Sequence, residues 1–288
     1  MNNIKNIGLI LNTSKEKAYQ VAEKVLNWLQ QRDIKVIIEE KAAVEMKQID
    51  KKATCEEMKT KVDLIILFGG DGTFLYTSQH FVGTDIPLLG INLGKLGFLT
   101  EIETDELYQT LAQIINGNFE VEKRMLLDAK VKRNEKLVHE SFALNDVVVN
   151  RGANARMVNI QLFINDEFVN SYRADGLIMA TPTGSTAYNL SAGGPIINPQ
   201  IRAIIITPIC PHTLYVRPMV ISEKENLKIV ISGENNEMKI TTDGNKVYDL
   251  INNDEIHITA SNKSISMVNF PDKTFYTILH EKMRSGMV

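Results

Sequence analysis

A strand-like run that ends in paired glycines is the strongest constraint on the fold of this chain. The stretch from Val62 to Phe68 is almost entirely apolar and stops at Gly69-Gly70-Asp71-Gly72-Thr73. Such runs are typical of central strands in parallel sheets, which are buried on both faces. Further strand-like runs at residues 4–11, 34–38 and 86–91 alternate with helical patterns. This alternation over residues 1–117 predicts a doubly wound α/β domain.

Local capping signals predict where the helices of this domain begin and end. Thr13-Ser14-Lys15-Glu16 has the S/T-x-x-E form of a capping box and precedes apolar residues spaced by three and four. Thr104 is a candidate N-cap for a helix that runs to Ile115 and stops at Gly117. Residues 42–59 are polar and weakly periodic, so both helix and loop stay open there.

The pattern changes near residue 119 to short alternating strands joined by polar turns. Asn- and Asp-rich turns between alternating runs favour hairpins, and the candidate turns begin at Arg133, Ile164, Gly233, Asp243 and Ile251. This half therefore predicts a β-sandwich-like domain.

The last stretch, from Thr274 to Met283, returns to helical spacing. It predicts a C-terminal helix that packs back onto the first domain. The predicted organisation is an α/β phosphate-binding domain at residues 1–120 plus 270–288, and a β-rich domain at residues 121–269.

Charge and cysteine content narrow the function classes. The 288 residues carry 32 Lys and Arg against 35 Asp and Glu, a formal net charge of −3, which lacks the broad basic field of nucleic-acid binders. Cys55 and Cys210 show no metal-ligand spacing and predict reduced thiols. No apolar run is long enough for a membrane span, and no signal peptide is evident. We expect a cytoplasmic protein without nucleic-acid or membrane partners.

The first glycine-rich window, residues 69–97, has the character of a phosphate site. Open α/β sheets bind ligands beyond the carboxyl ends of their strands, and glycines let backbone amides approach a phosphate at a helix N-terminus. A phosphate would repel the Asp71 carboxylate unless that carboxylate binds a metal or takes a proton. Either role fits phosphoryl transfer. A tight Asp-Gly turn is the structural alternative.

Two standard phosphate motifs do not fit this window. Gly90–Leu96 is one residue short of a P-loop and lacks its hydroxyl, and Leu75 stands where the dinucleotide fingerprint needs a third glycine. The segment from Gly90 to Leu99 is either the wall of a ligand pocket or a structural loop.

Two polar segments stand out in the second half of the chain. Asn145-Asp146 opens a β-branched run, where the pair suits a base edge and ribose hydroxyls or forms a plain turn. The segment Arg173–Pro195 combines hydroxyl residues, glycines and Tyr188, which suits nucleotide contacts, with a sandwich loop as the alternative. We expect both glycine-rich windows to serve one ligand site.

Taken together, these segments resemble a known family. Gly69-Gly70-Asp71-Gly72-Thr73 is similar to the phosphate motif of NAD kinases, of diacylglycerol and sphingosine kinases and, more loosely, of phosphofructokinases. The rest of the chain resembles NAD kinases alone, in order along nearly its whole length, at Ala143–Asp146, Asp175–Leu177, Thr181–Asn189, Gly193–Pro195 and Thr207–His212. The resemblance implies an α/β domain, a β-rich domain and transfer of the γ-phosphoryl group of ATP to the 2′-hydroxyl of the adenosine ribose of NAD.

The resemblance also implies roles for individual residues. Asp71 would accept the proton of the 2′-hydroxyl, Asn145 and Asp146 would hold the adenosine, and Tyr188 would form an aromatic wall. Asn245 stands where many members carry Gln, and its shorter side chain weakens one contact. The other implied binding residues are Gly70, Gly72, Thr73, Phe98, Arg156, Arg173, Asp175, Thr183, Thr186, Ala187, Asn189, Leu190 and Ser191.

Cofactors and assembly follow from the same resemblance. It implies ATP or inorganic polyphosphate as phosphate donor, with Mg²⁺ or another divalent cation carried by the donor rather than fixed by the protein. It also implies a homodimer or homotetramer. Two alternatives stay open: a lipid or sphingoid kinase sharing the Gly-Gly-Asp-Gly-Thr site, and a non-catalytic NAD(P)-binding sensor.

Overall fold

The computed structural model describes residues 4–152, 158–212, 215–232 and 238–284. The chain divides into two compact units, Met1–Lys123 with Ile265–Val288, and Arg124–Ser264. No helix in the described ranges is long and apolar enough to cross a membrane.

Strands and helices alternate through the first 119 residues, as the sequence predicts. In chain order they are β1 (Asn6–Leu11), α1 (Glu16–Gln30), β2 (Lys35–Glu39), α2 (Glu40–Glu45), β3 (Lys52–Ala53), α3 (Cys55–Met58), β4 (Leu64–Gly69), α4 (Asp71–Ser78), β5 (Leu88–Asn92) and α5 (Leu107–Ile115).

Strands dominate the rest of the chain. They are β6 (Glu120–Arg133), β7 (Lys136–Ala143), β8 (Asp146–Arg151), β9 (Val158–Ile164), β10 (Glu167–Ala174), β11 (Gly176–Ala180), β12 (Ala203–Ile209), β13 (Met219–Ser222), β14 (Leu227–Ser232), β15 (Met238–Thr242), β16 (Lys246–Leu250) and β17 (Glu255–Asn269), with helices α6 (Tyr188–Ser191) and α7 (Phe275–Arg284).

The first unit is a parallel sheet covered by helices on both faces. The strand order is β3-β2-β1-β4-β5, with the end of β17 beside β5. Ile7 and Leu9 of β1 share one buried cluster with Val25 of α1 and Leu111 of α5. On the opposite face, the sulfur of Met58 in α3 lies 3.5 Å from where a Cβ on Gly8 would sit. The doubly wound α/β prediction is confirmed.

The predicted capping box at the start of α1 is wrong. The N-cap of α1 is Lys15, and no side chain caps the helix. Asn12 Oδ1 instead accepts the N–H and the hydroxyl of Ser14, which draws this segment into a turn. A capping box does form between Thr54 and Glu57, inside the segment whose structure the sequence left open.

Helix α5 begins later than its predicted cap at Thr104. Its N-cap is Glu106, which makes no side-chain capping bond, so the Thr104 prediction is wrong. The predicted end is confirmed: α5 stops at Ile115, and Gly117 has a positive φ of 71° that a residue with a side chain rarely adopts.

The C-terminal helix belongs to the first unit, as predicted. The Lys273 ammonium group, just before α7, donates to the carbonyl of Glu101 at 3.0 Å and contacts the Glu106 carboxylate. Farther along, the Lys282 ammonium group lies 4.6 Å from the ring centroid of Phe98. These contacts hold α7 against the segment that follows β5.

The second unit is a sandwich of two antiparallel layers. One layer has the order β13-β12-β11-β8-β15-β16, and the other contains β10-β9-β14-β17 with β6 and β7. Val149 and Met179 of the first layer share one buried cluster with Ile160 and Ile229 of the second. This confirms the β-sandwich-like prediction.

Three of the predicted hairpins are present. Asn134 joins β6 to β7 and Asn165 joins β9 to β10, each with a positive φ of 50°, and Asp243-Gly244 joins β15 to β16. The turn predicted at Gly233 lies outside the described residues.

The turn at Ile251–Asp254 is not a hairpin, contrary to the prediction. It leads from β16 in one layer to β17 in the other. The fully buried Asp254 carboxylate accepts two bonds of 2.8 Å from the Arg133 guanidinium and one of 3.0 Å from the Ile251 N–H. This paired charge anchors the crossover between the layers.

Replacing Arg133 by Met should destabilise the protein strongly. The substitution leaves the buried Asp254 charge without its cation, and breaking such a pair costs about 3 kcal/mol or more of unfolding free energy. Arg202→Met is the matched control, because its pair with Glu223 is half exposed and should cost under about 1 kcal/mol. Urea unfolding of both variants measures the difference, and equal effects would contradict the anchoring role of Arg133.

Candidate active site

Adjacent strand ends place Asp71 beside the loop that follows β5. Gly69 at the end of β4 is the register partner of Asn92 at the end of β5. Helix α4 begins at Asp71 directly after β4. The chain after β5 folds back at once, because the Asn92 N–H donates to Ile102 O at 2.7 Å and the Leu93 N–H to Gly69 O at 3.0 Å. Residues 97–100 are therefore brought against the start of α4.

Consecutive backbone amides hold the Asp71 carboxylate. Its Oδ2 accepts the Phe98 N–H at 2.8 Å, and its Oδ1 accepts the Leu99 N–H at 3.1 Å and the Thr100 N–H at 3.0 Å. The Thr100 hydroxyl adds a bond of 3.0 Å to Oδ1. The partial positive charge at the start of α4 favours a negative group at the same position. The carboxylate is thus fixed at the carboxyl edge of the sheet.

The glycines around Asp71 serve two different needs. A Cβ on Gly97 would lie 1.9 Å from Asp71 Oδ1, so only glycine allows this approach. A Cβ on Gly70 or Gly72 would meet no atom within 4 Å. Gly70 and Gly72 border open space next to the carboxylate, where backbone can approach a phosphate closely.

Thr73 and Phe98 lie close to Asp71 but face different neighbours. The Thr73 hydroxyl accepts a bond of 3.2 Å from the Asn12 amide and packs against Gly69. The half-buried ring of Phe98 lies under the Lys282 ammonium group. A substrate contact by either residue stays a prediction.

In the second unit, a carboxylate holds the backbone at Asn145 and Asp146. Asp243, in the β15–β16 turn, accepts the N–H groups of Leu144 at 2.9 Å, Asn145 at 2.7 Å and Asp146 at 3.2 Å. Its own N–H donates to Asp146 O at 3.0 Å. These hydrogen bonds fix the backbone at the start of β8, where both predicted binding residues lie.

Asp146 is a buried carboxyl group with an unusual proton affinity. Its residue is 5% exposed. Burial and, to a smaller extent, the charge of Asp243 raise the pKa of Asp146 to about 7, although the Tyr188 N–H that donates to Asp146 acts to lower it. A carboxyl group in this setting can hold or release a proton near neutral pH.

The polar segment after β11 is attached directly to Asn145. The Asn145 carbonyl accepts the Thr181 N–H at 2.8 Å, and a Cβ on Gly184 would lie 2.1 Å from that carbonyl oxygen. Asn189 is fully buried; its amide donates to Ser185 O and Pro195 O at 3.0 Å and accepts the Thr207 hydroxyl at 2.6 Å. The Asn189 side chain therefore shapes the segment from inside.

The other predicted residues of this segment differ in exposure. Tyr188 and Ser191 are exposed, Thr186, Ala187 and Leu190 are partly exposed, and Thr183 is buried. Burial raises the pKa of Tyr188, and the nearby Cys210, Asp175 and Asp146 add to the rise. The Tyr188 phenol therefore shares its surroundings with two predicted binding carboxylates.

The remaining four predicted binding residues have different surroundings. Asp175 accepts a bond of 2.6 Å from the guanidinium of Arg151, while the predicted Arg173 is exposed on β10. Asn245 is exposed on the β15–β16 turn. Arg156 lies outside the described residues.

Sequence reasoning missed Gly97, Thr100 and Asp243 as determinants of the site. Asp243 precedes a glycine as Asp71 does, but its turn also reads as an ordinary hairpin. Gly97 lies in the segment from Gly90 to Leu99, which the sequence assigns equally well to a pocket wall or a loop, and Thr100 directly follows that segment. Among the described residues, no group of three or more His, Cys, Asp and Glu could hold a metal ion.

Two domain families match the chain. The ATP-NAD kinase N-terminal domain matches residues 7–119, and the ATP-NAD kinase C-terminal domain matches residues 144–270. An NAD kinase of Caldanaerobacter subterraneus subsp. tengcongensis is 42% identical over 280 residues, which cover 97% of this chain and 99% of the relative. An NAD kinase of Moorella thermoacetica is 38% identical over 98% of this chain and 90% of the relative.

Solved structures show the same similarity. Yeast NADH kinase complexed with NADH has a TM-score of 0.90 and 27% identity, covering 98% of this chain and 88% of that one. An NAD kinase from Archaeoglobus fulgidus in complex with ATP has a TM-score of 0.75 and 25% identity, covering 97% of this chain and 99% of that one.

Asp146→Asn should change the pH dependence of stability. The folded-state pKa of about 7 lies above the ordinary value of 3.8, so the protonated group contributes stability that is complete below 3.8 and is lost as pH rises through about 7. The Asn variant cannot ionise and should gain stability relative to the wild type across that range.

Urea unfolding at a series of pH values measures this gain. Asp249→Asn is the control, because Asp249 is exposed in the same unit and should show little change. A gain from Asp146→Asn that is constant, or that shrinks as pH rises, would contradict the burial of an ionisable Asp146.

Proposed function

This chain belongs to the NAD kinase family, and we propose that it transfers the γ-phosphoryl group of ATP to the 2′-hydroxyl of the adenosine ribose of NAD, giving NADP. The observation that carries the proposal is the Asp71 carboxylate, held by the amides of residues 98–100 beside the open space at Gly70 and Gly72. The relatives compared above are named as kinases of NAD or NADH, so a lipid kinase or a sensor is not favoured.

Asp71 is the catalytic base in this proposal. It accepts the proton of the 2′-hydroxyl as the ribose oxygen bonds to the γ-phosphorus, while the bond from that phosphorus to ADP breaks. A base within hydrogen-bond reach of the acceptor hydroxyl both orients that hydroxyl and takes its proton. The start of α4 and the backbone of Gly70 and Gly72 then face the phosphate.

The second unit recognises the nucleotide. Asn145 and Asp146 hold the adenosine, and their rigid backbone supports this role. The exposed ring of Tyr188 offers a wall for stacking. Arg173, Asp175 and Asn245 contribute polar contacts. On this basis residues 1–120 with 270–288 form the phosphate-binding domain, and residues 121–269 form the NAD-binding domain.

The phosphate donor is ATP, and a related protein has been solved with ATP. Mg²⁺ arrives on the donor phosphates in this proposal, because it usually binds through substrate phosphates and few protein groups. When bound, Mg²⁺ neutralises charge that develops on the transferred group. Polyphosphate as a second donor is tested by the same assay.

We also propose that the protein is cytoplasmic and that it assembles as a homodimer or homotetramer. Cys55 and Cys210 are free thiols, which fits the reducing cytosol. Apolar side chains at Phe168 and Val247 are exposed on the second unit, and burying them in a homodimer or homotetramer would remove them from water.

The central activity is tested by NADP formation. Wild-type protein with NAD, ATP and Mg²⁺ should produce NADP, detected with an NADP-specific dehydrogenase. Asp71→Asn should lower kcat by about 10²–10⁴-fold, because the base is lost. Asp85→Asn, an exposed residue of the same unit, should retain activity. Wild-type protein that makes no NADP with ATP or polyphosphate would sink the proposal.

Gly97→Ala should impair catalysis through Asp71. The added methyl group would lie 1.9 Å from Asp71 Oδ1, so the carboxylate or residues 97–100 must move, and a displacement of about 1 Å costs on the order of 10²-fold in rate. Gly94→Ala is the matched control, since its Cβ has no neighbour closer than 4.0 Å. Steady-state kinetics compare the two, and equal activity would show that Gly97 does not constrain Asp71.

A further inference from the structure

The side-chain amide of Asn92 has one orientation that satisfies its neighbours. The Gly94 N–H approaches Oδ1 at 2.6 Å, and a backbone N–H can only donate. The other amide atom is therefore Nδ2. It donates one hydrogen to Lys95 O at 2.7 Å and shares the other between Thr100 Oγ1 at 3.0 Å and the more distant Thr100 O at 3.3 Å. Asn92 is 4% exposed, so these partners are not exchanged for water.

This orientation sets the direction of the Thr100 hydroxyl. A hydroxyl carries one hydrogen and two acceptor lone pairs. Because Asn92 donates to Thr100 Oγ1, the hydroxyl hydrogen is directed to Asp71 Oδ1 at 3.0 Å. Thr100 is fully buried, and a Cβ on Gly90 would lie 2.6 Å from its methyl group, so packing on β5 fixes the side chain. Hydrogen bonds therefore run in one direction from Asn92 to Asp71.

The two oxygens of Asp71 are used unequally as a result. An ionised carboxylate offers about two lone pairs on each oxygen. Oδ1 accepts three donors, the Leu99 N–H, the Thr100 N–H and the Thr100 hydroxyl. Oδ2 accepts the Phe98 N–H. The lone pair left to accept a proton is on Oδ2.

We propose that Thr100 is a positioning residue for catalysis: oriented by Asn92, it occupies Oδ1 of Asp71 and leaves Oδ2 as the atom that takes the 2′-hydroxyl proton. The inference rests on the proposed function, because Asp71 needs a reacting lone pair only if it is the base. Thr100 itself touches no reacting atom. Its hydroxyl acts together with the three backbone N–H groups and adds a bond to Oδ1 that resists rotation about the Cβ–Cγ bond of Asp71.

The test compares Thr100→Val with Thr100→Ser in the NADP assay. Val has the shape of Thr but no hydroxyl, so the carboxylate keeps its three N–H bonds and loses the side-chain bond to Oδ1. Its orientation is then held less firmly, and kcat should fall by about 10- to 100-fold. Ser keeps the hydroxyl and should restore most of the wild-type kcat. KM for NAD should stay near the wild-type value in both variants, because Asp71 orientation acts on the chemical step.

Thr110→Val is the matched control. Thr110 is also buried in the first unit, and its hydroxyl bonds to Glu106 O in α5, away from Asp71. It should keep wild-type kcat. Thermal melting of each variant checks the fold, and if Thr100→Val does not melt cooperatively, the smaller Thr100→Ala takes its place.

Two results would overturn the assignment. One is a folded Thr100→Val or Thr100→Ala with wild-type kcat. The other is a loss in Thr100→Ser as large as in the variant without a hydroxyl. Failure of the wild type to make NADP is a separate outcome, since it removes the proposed function itself.

Discussion

Three consecutive N–H groups donating to one carboxylate are the interaction on which the first unit's site depends. They require that residues 98–100 return to the start of α4, which the register of Gly69 with Asn92 makes possible. They also exclude a side chain at Gly97, because Asp71 Oδ1 occupies the place of its Cβ. The fixed carboxylate lies beside Gly70 and Gly72, where an added Cβ would have no neighbour within 4 Å. This contact therefore depends on the strand order, the path of the loop and the glycine at residue 97.

The second unit uses the same device for a different purpose. Asp243 accepts three consecutive N–H groups, from Leu144 to Asp146, and so fixes a strand start. In the first unit the held carboxylate is the proposed reacting group, and in the second it positions its neighbours. Its charge also adds to the burial that raises the pKa of Asp146. Preorganised groups of this kind need little rearrangement when charge develops.

The sequence predicts the architecture well because hydrophobic patterns that repeat along a whole strand or helix indicate the type of element. Buried strands, helical spacing and Asn-rich hairpins at Asn134 and Asn165 depend on local chemistry and are confirmed. Predictions from short motifs fail where a neighbouring side chain forms a competing hydrogen bond. The Asn12 side chain accepts hydrogen bonds from Ser14, and the capping box predicted at Thr13 does not form. The same motif does cap a helix at Thr54.

Long-range pairing explains the remaining differences. Arg133 pairs with Asp254, 121 residues away, in a turn that the sequence predicts as a hairpin and that connects strands of different layers. Gly97 and Asp71 are likewise close only after β4 and β5 pair. Motifs in the sequence therefore predict the residues of the site, whereas the groups that orient these residues are identified only from the folded structure.

A crystal structure of the wild-type protein with NAD tests the central claim most directly. The account predicts that Asp71 Oδ2 lies within hydrogen-bond reach, about 2.6–3.2 Å, of the adenosine 2′-oxygen, with Oδ1 still bound by Leu99 and Thr100. A 2′-hydroxyl bound to another side chain, with Asp71 out of reach, would contradict it.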